Sequence, residues 1–130
     1  MGKKLGYRAG LRVLVGNMPE SIRHEIEGSI GEKPDWLRVP EPNLAAAHLF
    51  VTSRRELESS LAGLLPLLDR AGFIWVSWPK KASKVATDIT EDVIRDVALP
   101  MGLVDVKVCA IDETWSGLKL VIRRQNRDVR

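Results

Sequence analysis

The sequence holds a single cysteine, Cys109, in 130 residues. No internal disulfide is available, and a reducing compartment, the cytoplasm, is the expected setting. The two histidines, His24 and His48, have no second ligand at metal spacing, so no metal site is expected. No apolar run approaches the roughly 18 residues that a membrane span needs. The opening Met1-Gly2-Lys3-Lys4-Leu5-Gly6 is basic, yet no signal-peptide core follows it. Gly6 also stands where a myristoylation pattern wants serine or threonine. Secretion, membrane spanning and lipid anchoring are therefore not expected. Internal repeats and low-complexity segments are absent too.

What is present is the composition of an ordinary globular domain, 45% hydrophobic and 28% charged. A chain of this size buries about 68% of its unfolded surface, enough for one core without a staple. The expectation is one α/β domain over 1–130, with residues 1–10 and 125–130 as basic ends. The formal charge is +3 and the pI near 9.2, but the excess sits in residues 1–12, with Lys3, Lys4, Arg8 and Arg12, and in residues 121–130, with Arg123, Arg124, Arg127 and Arg130. The body between them is acidic overall. Nucleic-acid binding calls for a basic stripe on the folded surface, which this distribution does not provide.

Strand and helix patterns alternate along the chain. Arg12-Val13-Leu14-Val15-Gly16 is β-branched and ends in glycine, and Pro19 then opens a helix with Ile22, Ile26 and Ile30 on one face. Prolines 34, 40 and 42 bracket a short strand, Trp36–Val39, suited to an edge. Ala45–Val51 is apolar throughout, as a parallel strand covered on both faces should be. Ser53-Arg54-Arg55-Glu56 is a capping box ahead of Leu57, Leu61, Leu64, Leu65 and Leu68. Gly72–Trp78 is a further strand stopped by Pro79. Asp88-Ile89-Thr90-Glu91 predicts the cap of a third helix through Val93, Ile94, Val97 and Ala98. Leu103–Ile111 and Leu118–Arg124, joined by Asp112–Gly117, predict an antiparallel hairpin.

This order predicts a three-layer α/β/α Rossmann-like fold, a mostly parallel sheet closed by a C-terminal antiparallel hairpin. It resembles a shortened class I methyltransferase domain lacking one helix-strand-helix stretch between Trp36 and Ala45. The segments Leu49-Phe50-Val51-Thr52-Ser53-Arg54, Trp78-Pro79-Lys80-Lys81-Ala82-Ser83, Ala86-Thr87-Asp88-Ile89-Thr90 and Val106 to Lys119 are also similar to a bacterial family of small domains with no assigned activity. The resemblance implies a fold and no reaction. The methyltransferase pattern implies S-adenosylmethionine, but such domains carry a glycine-rich turn after the first strand. Here Gly16 is followed by Asn17, Met18 and Pro19, so no cofactor is firmly expected.

A ligand of an open α/β sheet sits outside the carboxyl ends of the strands, at the point where the strand order reverses. Four loops reach that edge. The first brings Gly16 and Asn17; the second brings Ser53 and Arg54 at a helix start; the third brings Trp78, Lys80, Lys81, Ser83, Lys84 and Asp88. The fourth, Asp112 to Trp115, lies farther off. Clustered cations and a helix N-terminus favour an anion, so the leading expectation is a phosphate- or carboxylate-bearing small ligand. Asp88 doubles as a helix cap, and Glu41 follows the second strand, where related domains hold a ribose.

Several other readings lead nowhere. Ser77-Trp78-Pro79-Lys80 matches S-x-x-K by letters on a strand, where the motif needs a helical turn. Cys109 in an apolar strand has no base beside it, and His48 in a buried strand suits the core. Trp115, read as a loop residue, suggests a binding or dimer surface. The alternative function is therefore a non-catalytic methyltransferase-like scaffold acting as an interaction or homodimerisation module, and a lesser one is a methyltransferase.

Overall fold

In the computed structural model, residues 5–8, 10–31 and 33–123 are described. The basic ends expected from the sequence fall largely outside them. Six strands form one sheet in the order β2-β1-β3-β4-β6-β5. They are β1 (Arg12–Gly16), β2 (Asp35–Leu37), β3 (Leu44–Phe50), β4 (Leu68–Pro79), β5 (Leu103–Ala110) and β6 (Trp115–Ile122). The first four run parallel, and β6 is antiparallel to both β4 and β5. The expected α/β class, parallel sheet and closing hairpin are all present, as is the expected edge position of β2.

Three helices cover the faces. Helix α1 (Glu20–Ile30) ends at Gly31, whose positive φ of 76° is the left-handed conformation glycine adopts freely. It lays Ile22 and Ile26 on one face of the sheet with Val13, Ala46, Phe50, Trp75, Cys109 and Ile111. Helices α2 (Arg54–Leu64) and α3 (Glu91–Ala98) lie on the other face, where Leu57, Leu61, Ile94 and Val97 meet Leu14, Ala47, Ile74, Leu118 and Leu120. Strand alternation divides neighbours such as Val13 and Leu14 between the two cores. Each core leucine or isoleucine buried this way contributes roughly 1.5–3 kcal/mol of transfer free energy.

Several element ends differ from the sequence pattern: β2 is Asp35–Leu37 and leaves Arg38 and Val39 beyond it, and two further shifts have a clear cause. The α2 helix ends at Leu64 because Leu65-Pro66-Leu67 tightens into a 3₁₀ turn, so Leu68 begins β4 rather than extending the helix. Strand β6 begins at Trp115 rather than Leu118. Asp112 Oδ1 accepts the N–H groups of Thr114 and Trp115, both at 2.8 Å, which closes the hairpin turn early and brings Trp115 into register with Pro79.

A polar chain runs through the α1-side core. The Tyr7 hydroxyl meets His48 Nδ1 at 2.7 Å, and His48 Nε2 meets Ser77 Oγ at 2.7 Å. His48 and Ser77 are fully buried and Tyr7 nearly so. A neutral imidazole donates at one nitrogen and accepts at the other, so the three groups satisfy one another. Burial pushes the Tyr7 phenol well above its usual range and lowers His48 to about 3. This is the core histidine that the sequence suggests.

Candidate functional site

The carboxyl ends of β1, β3 and β4 define the edge where a ligand would sit. The strand order reverses between β1 and β3: α1 leaves for one face and α2 for the other. Asn17, in a left-handed conformation with φ 61°, turns its amide toward Glu56, with Nδ2 donating to Oε2 at 3.4 Å. The other carboxylate oxygen of Glu56 accepts the Thr52 N–H at 3.1 Å. Gly16 approaches within 3.3 Å of Leu49 at its Cβ position.

The N-terminus of α2 is already supplied with acceptors from within the chain. Ser53 Oγ accepts the Glu56 N–H at 3.1 Å, and Asp88 Oδ1 accepts the Arg54 N–H at 2.6 Å. The segment carrying Asp88 is strapped in place by Thr87 Oγ1 donating to the Thr52 carbonyl at 2.6 Å and by the Asp88 N–H donating to the same oxygen at 3.3 Å. Asp88 therefore caps α2 across the loop rather than α3, whose cap is Thr90, with Oγ1 accepting from Val93 N–H at 3.2 Å. The Arg54 guanidinium is engaged as well. It donates to Asp96 at 2.6 Å and to Glu58 at 3.3 Å, and these hydrogen bonds raise its pKa. A helix N-terminus favours an anion because its first N–H groups are unpaired; here two of those groups, on Arg54 and Glu56, and the Arg54 side chain are engaged. Asp88→Ala is expected to lower stability by about 1 kcal/mol, the usual worth of a capping side chain, read as the urea midpoint; an unchanged midpoint would remove the strap from the account.

The lysine loop is different. Between the end of β4 and the first turn of α3 opens a cleft of about 710 Å³ whose walls include Trp78, Pro79, Lys81, Lys84, Thr87 and Thr90. Trp78 is nearly buried, at 7% exposure, and borders the cleft. Lys81 and Lys84 are exposed and make no ion pair among the described residues. Glu91 and Asp92 also border the cleft, but both are paired with Arg95, at 3.1 and 3.3 Å. Lys80 does not reach the cleft; its N–H donates to the Thr114 carbonyl at 2.7 Å. Ser83 Oγ is spent inside the loop, donating to the Lys80 carbonyl at 2.7 Å.

The structure thus brings together Trp78, Lys81 and Lys84, joins Asn17 to the α2 N-terminus through Glu56, and sets Ser53, Arg54 and Asp88 to internal work. Trp115 is not a stranded loop residue. It is a half-buried strand residue whose ring stands edge-on to Phe50 at 5.0 Å, where the sequence reading has a loop tryptophan. Glu41 lies at the opposite edge of the sheet, accepting from Arg12 at 2.7 Å, because the chain has already crossed back to start β3. The residue at the end of β2 is instead Arg38, which sequence reading took as part of the strand. With Arg23, Trp36 and Asn17 it borders a second cleft of about 420 Å³. No group of three or more histidine, cysteine, aspartate or glutamate side chains is placed to hold a metal among the described residues. No described helix is long and apolar enough to cross a membrane.

Neither a family model nor a curated protein matches the chain. Solved structures do, several of them methyltransferases. A TehB-like S-adenosylmethionine-dependent methyltransferase from Corynebacterium glutamicum superimposes with a TM-score of 0.56 at 10% identity, over 93% of this chain and 85% of the other. Magnesium protoporphyrin IX methyltransferase from Synechocystis, solved with S-adenosylmethionine bound, gives 0.57 at 13% identity, over 88% and 71%. At such identities the likeness establishes the fold alone: the chain has a reduced class I methyltransferase-like architecture.

Proposed function

We propose that the chain is a small-ligand-binding domain on a methyltransferase scaffold, and that its ligand carries a phosphate or carboxylate held in the cleft between β4 and α3. The observation that supports this reading most is the pair Lys81 and Lys84. Both border the cleft without a carboxylate partner, while the neighbouring acids are tied to Arg95. The volume of about 710 Å³ lies in the ordinary range for small-molecule sites, and Trp78 supplies an apolar surface beside the charges. Thr90 adds a hydroxyl whose oxygen caps α3 and whose proton can be donated to the ligand. No nucleophile or general base stands within the cleft in a bonded pair, so the reading assigns binding and no reaction.

Methyl transfer is the second reading, favoured by structural neighbours solved with S-adenosylmethionine or S-adenosylhomocysteine. The residues present do not fit that cofactor well. A bare-backbone turn after β1 would need glycines where Asn17, Met18 and Pro19 stand. A carboxylate at the end of β2 would take the ribose hydroxyls, but Arg38 occupies that place and Glu41 is paired with Arg12 at the far edge. The interaction-module reading has less to rest on with Trp115 half-buried in a strand and its ring edge-on to Phe50.

Thermal unfolding in inorganic phosphate and in citrate tests the proposal. A tenfold excess over the dissociation constant should raise the midpoint by about 5 °C. The Lys81→Ala/Lys84→Ala variant should unfold at the wild-type temperature without ligand and lose that rise. An equal rise in the variant would overturn the assignment.

A further inference from the structure

The second cleft is independent of the lysine loop and has its own chemistry. It lies at the ends of β1 and β2 on the α1 face, and its walls are Val15, Asn17, Met18, Arg23, Trp36 and Arg38. Arg38 is exposed and makes no ion pair among the described residues. Acids that might have neutralised it are engaged elsewhere. Asp35 and Glu41 both bind Arg12 at the opposite edge, at 3.4 and 2.7 Å, and Glu56 is held by Asn17 and Thr52. Arg23 enters the same space from the first turns of α1. Its partner, Glu20, is 72% exposed at 3.0 Å, and so open a pair competes weakly with a ligand.

The third wall is aromatic and fixed. Trp36 Nε1 donates to Glu27 Oε2 at 2.7 Å, and its ring meets Tyr7 edge-on at 5.7 Å. Val15 and Met18 continue the apolar surface. A guanidinium matches a phosphate through paired N–H donors, and an immobilised indole offers a flat face to another ring. In open α/β sheets an arginine near the end of the second strand suits a phosphate where a carboxylate would suit a ribose hydroxyl.

We propose that this cleft binds a nucleoside or aryl phosphate, with Arg38 and Arg23 on the phosphate and Trp36 against the ring. The phosphate is the determinant, so the corresponding nucleoside binds poorly. The site and its ligand class stand apart from the lysine cleft, and either can fail without the other.

Calorimetric titration with AMP, adenosine and inorganic phosphate tests it on the wild type, Arg38→Ala and Lys81→Ala/Lys84→Ala. AMP should bind, with adenosine at least tenfold weaker. Arg38→Ala, an exposed change that leaves the unfolding temperature in place, should weaken AMP at least tenfold, and the lysine variant should leave it unchanged. The proposal is overturned if adenosine matches AMP, if Arg38→Ala has no effect, if millimolar AMP does not bind, or if the lysine variant loses AMP instead. That last outcome would put the nucleotide in the lysine cleft.

Discussion

Trp75→Ala is expected to cost about 3–5 kcal/mol, the range for removing a large aromatic from a core. In a domain with marginal stability of about 5–15 kcal/mol, that loss approaches global unfolding. Trp75 is fully buried at the centre of the sheet, and its Nε1 donates to the Leu5 carbonyl at 2.7 Å, tying the N-terminal segment over β4. The ring occupies space that Gly117 leaves free: a Cβ there would stand 3.1 Å from Trp75 Cε3 and 2.9 Å from Ile111 Cδ1. Alanine therefore opens a cavity and strands a carbonyl at once. Trp75→Phe keeps most of the volume and loses the hydrogen bond, for an expected cost nearer 1–2 kcal/mol. The urea midpoint reads both. A wild-type midpoint for Trp75→Ala would mean that Leu5 and Trp75 do not hold the segment to the sheet.

The second large effect is a loss of stability in mild acid. His48 is buried and neutral, with its folded pKa lowered from 6.5 to about 3. Around it stand Tyr7, Ser77, Phe50 stacked at 4.5 Å, and Trp75, none of which carries a charge at neutral pH. The unfolded chain binds a proton below about pH 6.5 that the folded chain refuses. The stabilisation is therefore complete above pH 6.5 and shrinks as the pH falls toward 3, by roughly 1.4 kcal/mol per pH unit. Between pH 6.5 and 5, before most carboxylates titrate, unfolding free energy should drop by about 2 kcal/mol. His48→Gln has no such proton to gain, so it should be weaker at pH 7 but nearly flat across that window. A wild-type curve as flat as the variant's would contradict the buried neutral imidazole.

Much of the architecture could be read from the residues because it is local. The capping box at Ser53, the apolar run of β3 and the prolines around β2 each carry their own physical signal, and the sheet order follows from crossover rules. What could not be read depends on contacts between distant segments. Nothing near Asp88 in sequence says that its carboxylate reaches Arg54 N–H, so it looked like a cap for the helix beside it. Trp115 looked like a loop residue because the turn that starts β6 is made by the Asp112 side chain. Arg54 looked like a free cation because Asp96 stands 42 residues away. Lys81 and Lys84 remained legible for the opposite reason: they are exposed and make no ion pair among the described residues, as loop lysines suggest in the sequence. The cleft at Arg38 was not legible because its walls come from β1, α1 and the end of β2, which only the folded sheet brings together.

The most direct measurement of the central claim is a ¹H–¹⁵N NMR titration of the protein with inorganic phosphate, followed by S-adenosylhomocysteine. The account predicts that phosphate shifts amides in residues 80–92, and that the adenosyl compound causes no comparable change around Gly16 to Met18. Saturable shifts centred on Gly16 to Met18 with S-adenosylhomocysteine, and none in the lysine loop with phosphate, would contradict it and make the chain a cofactor-binding methyltransferase domain.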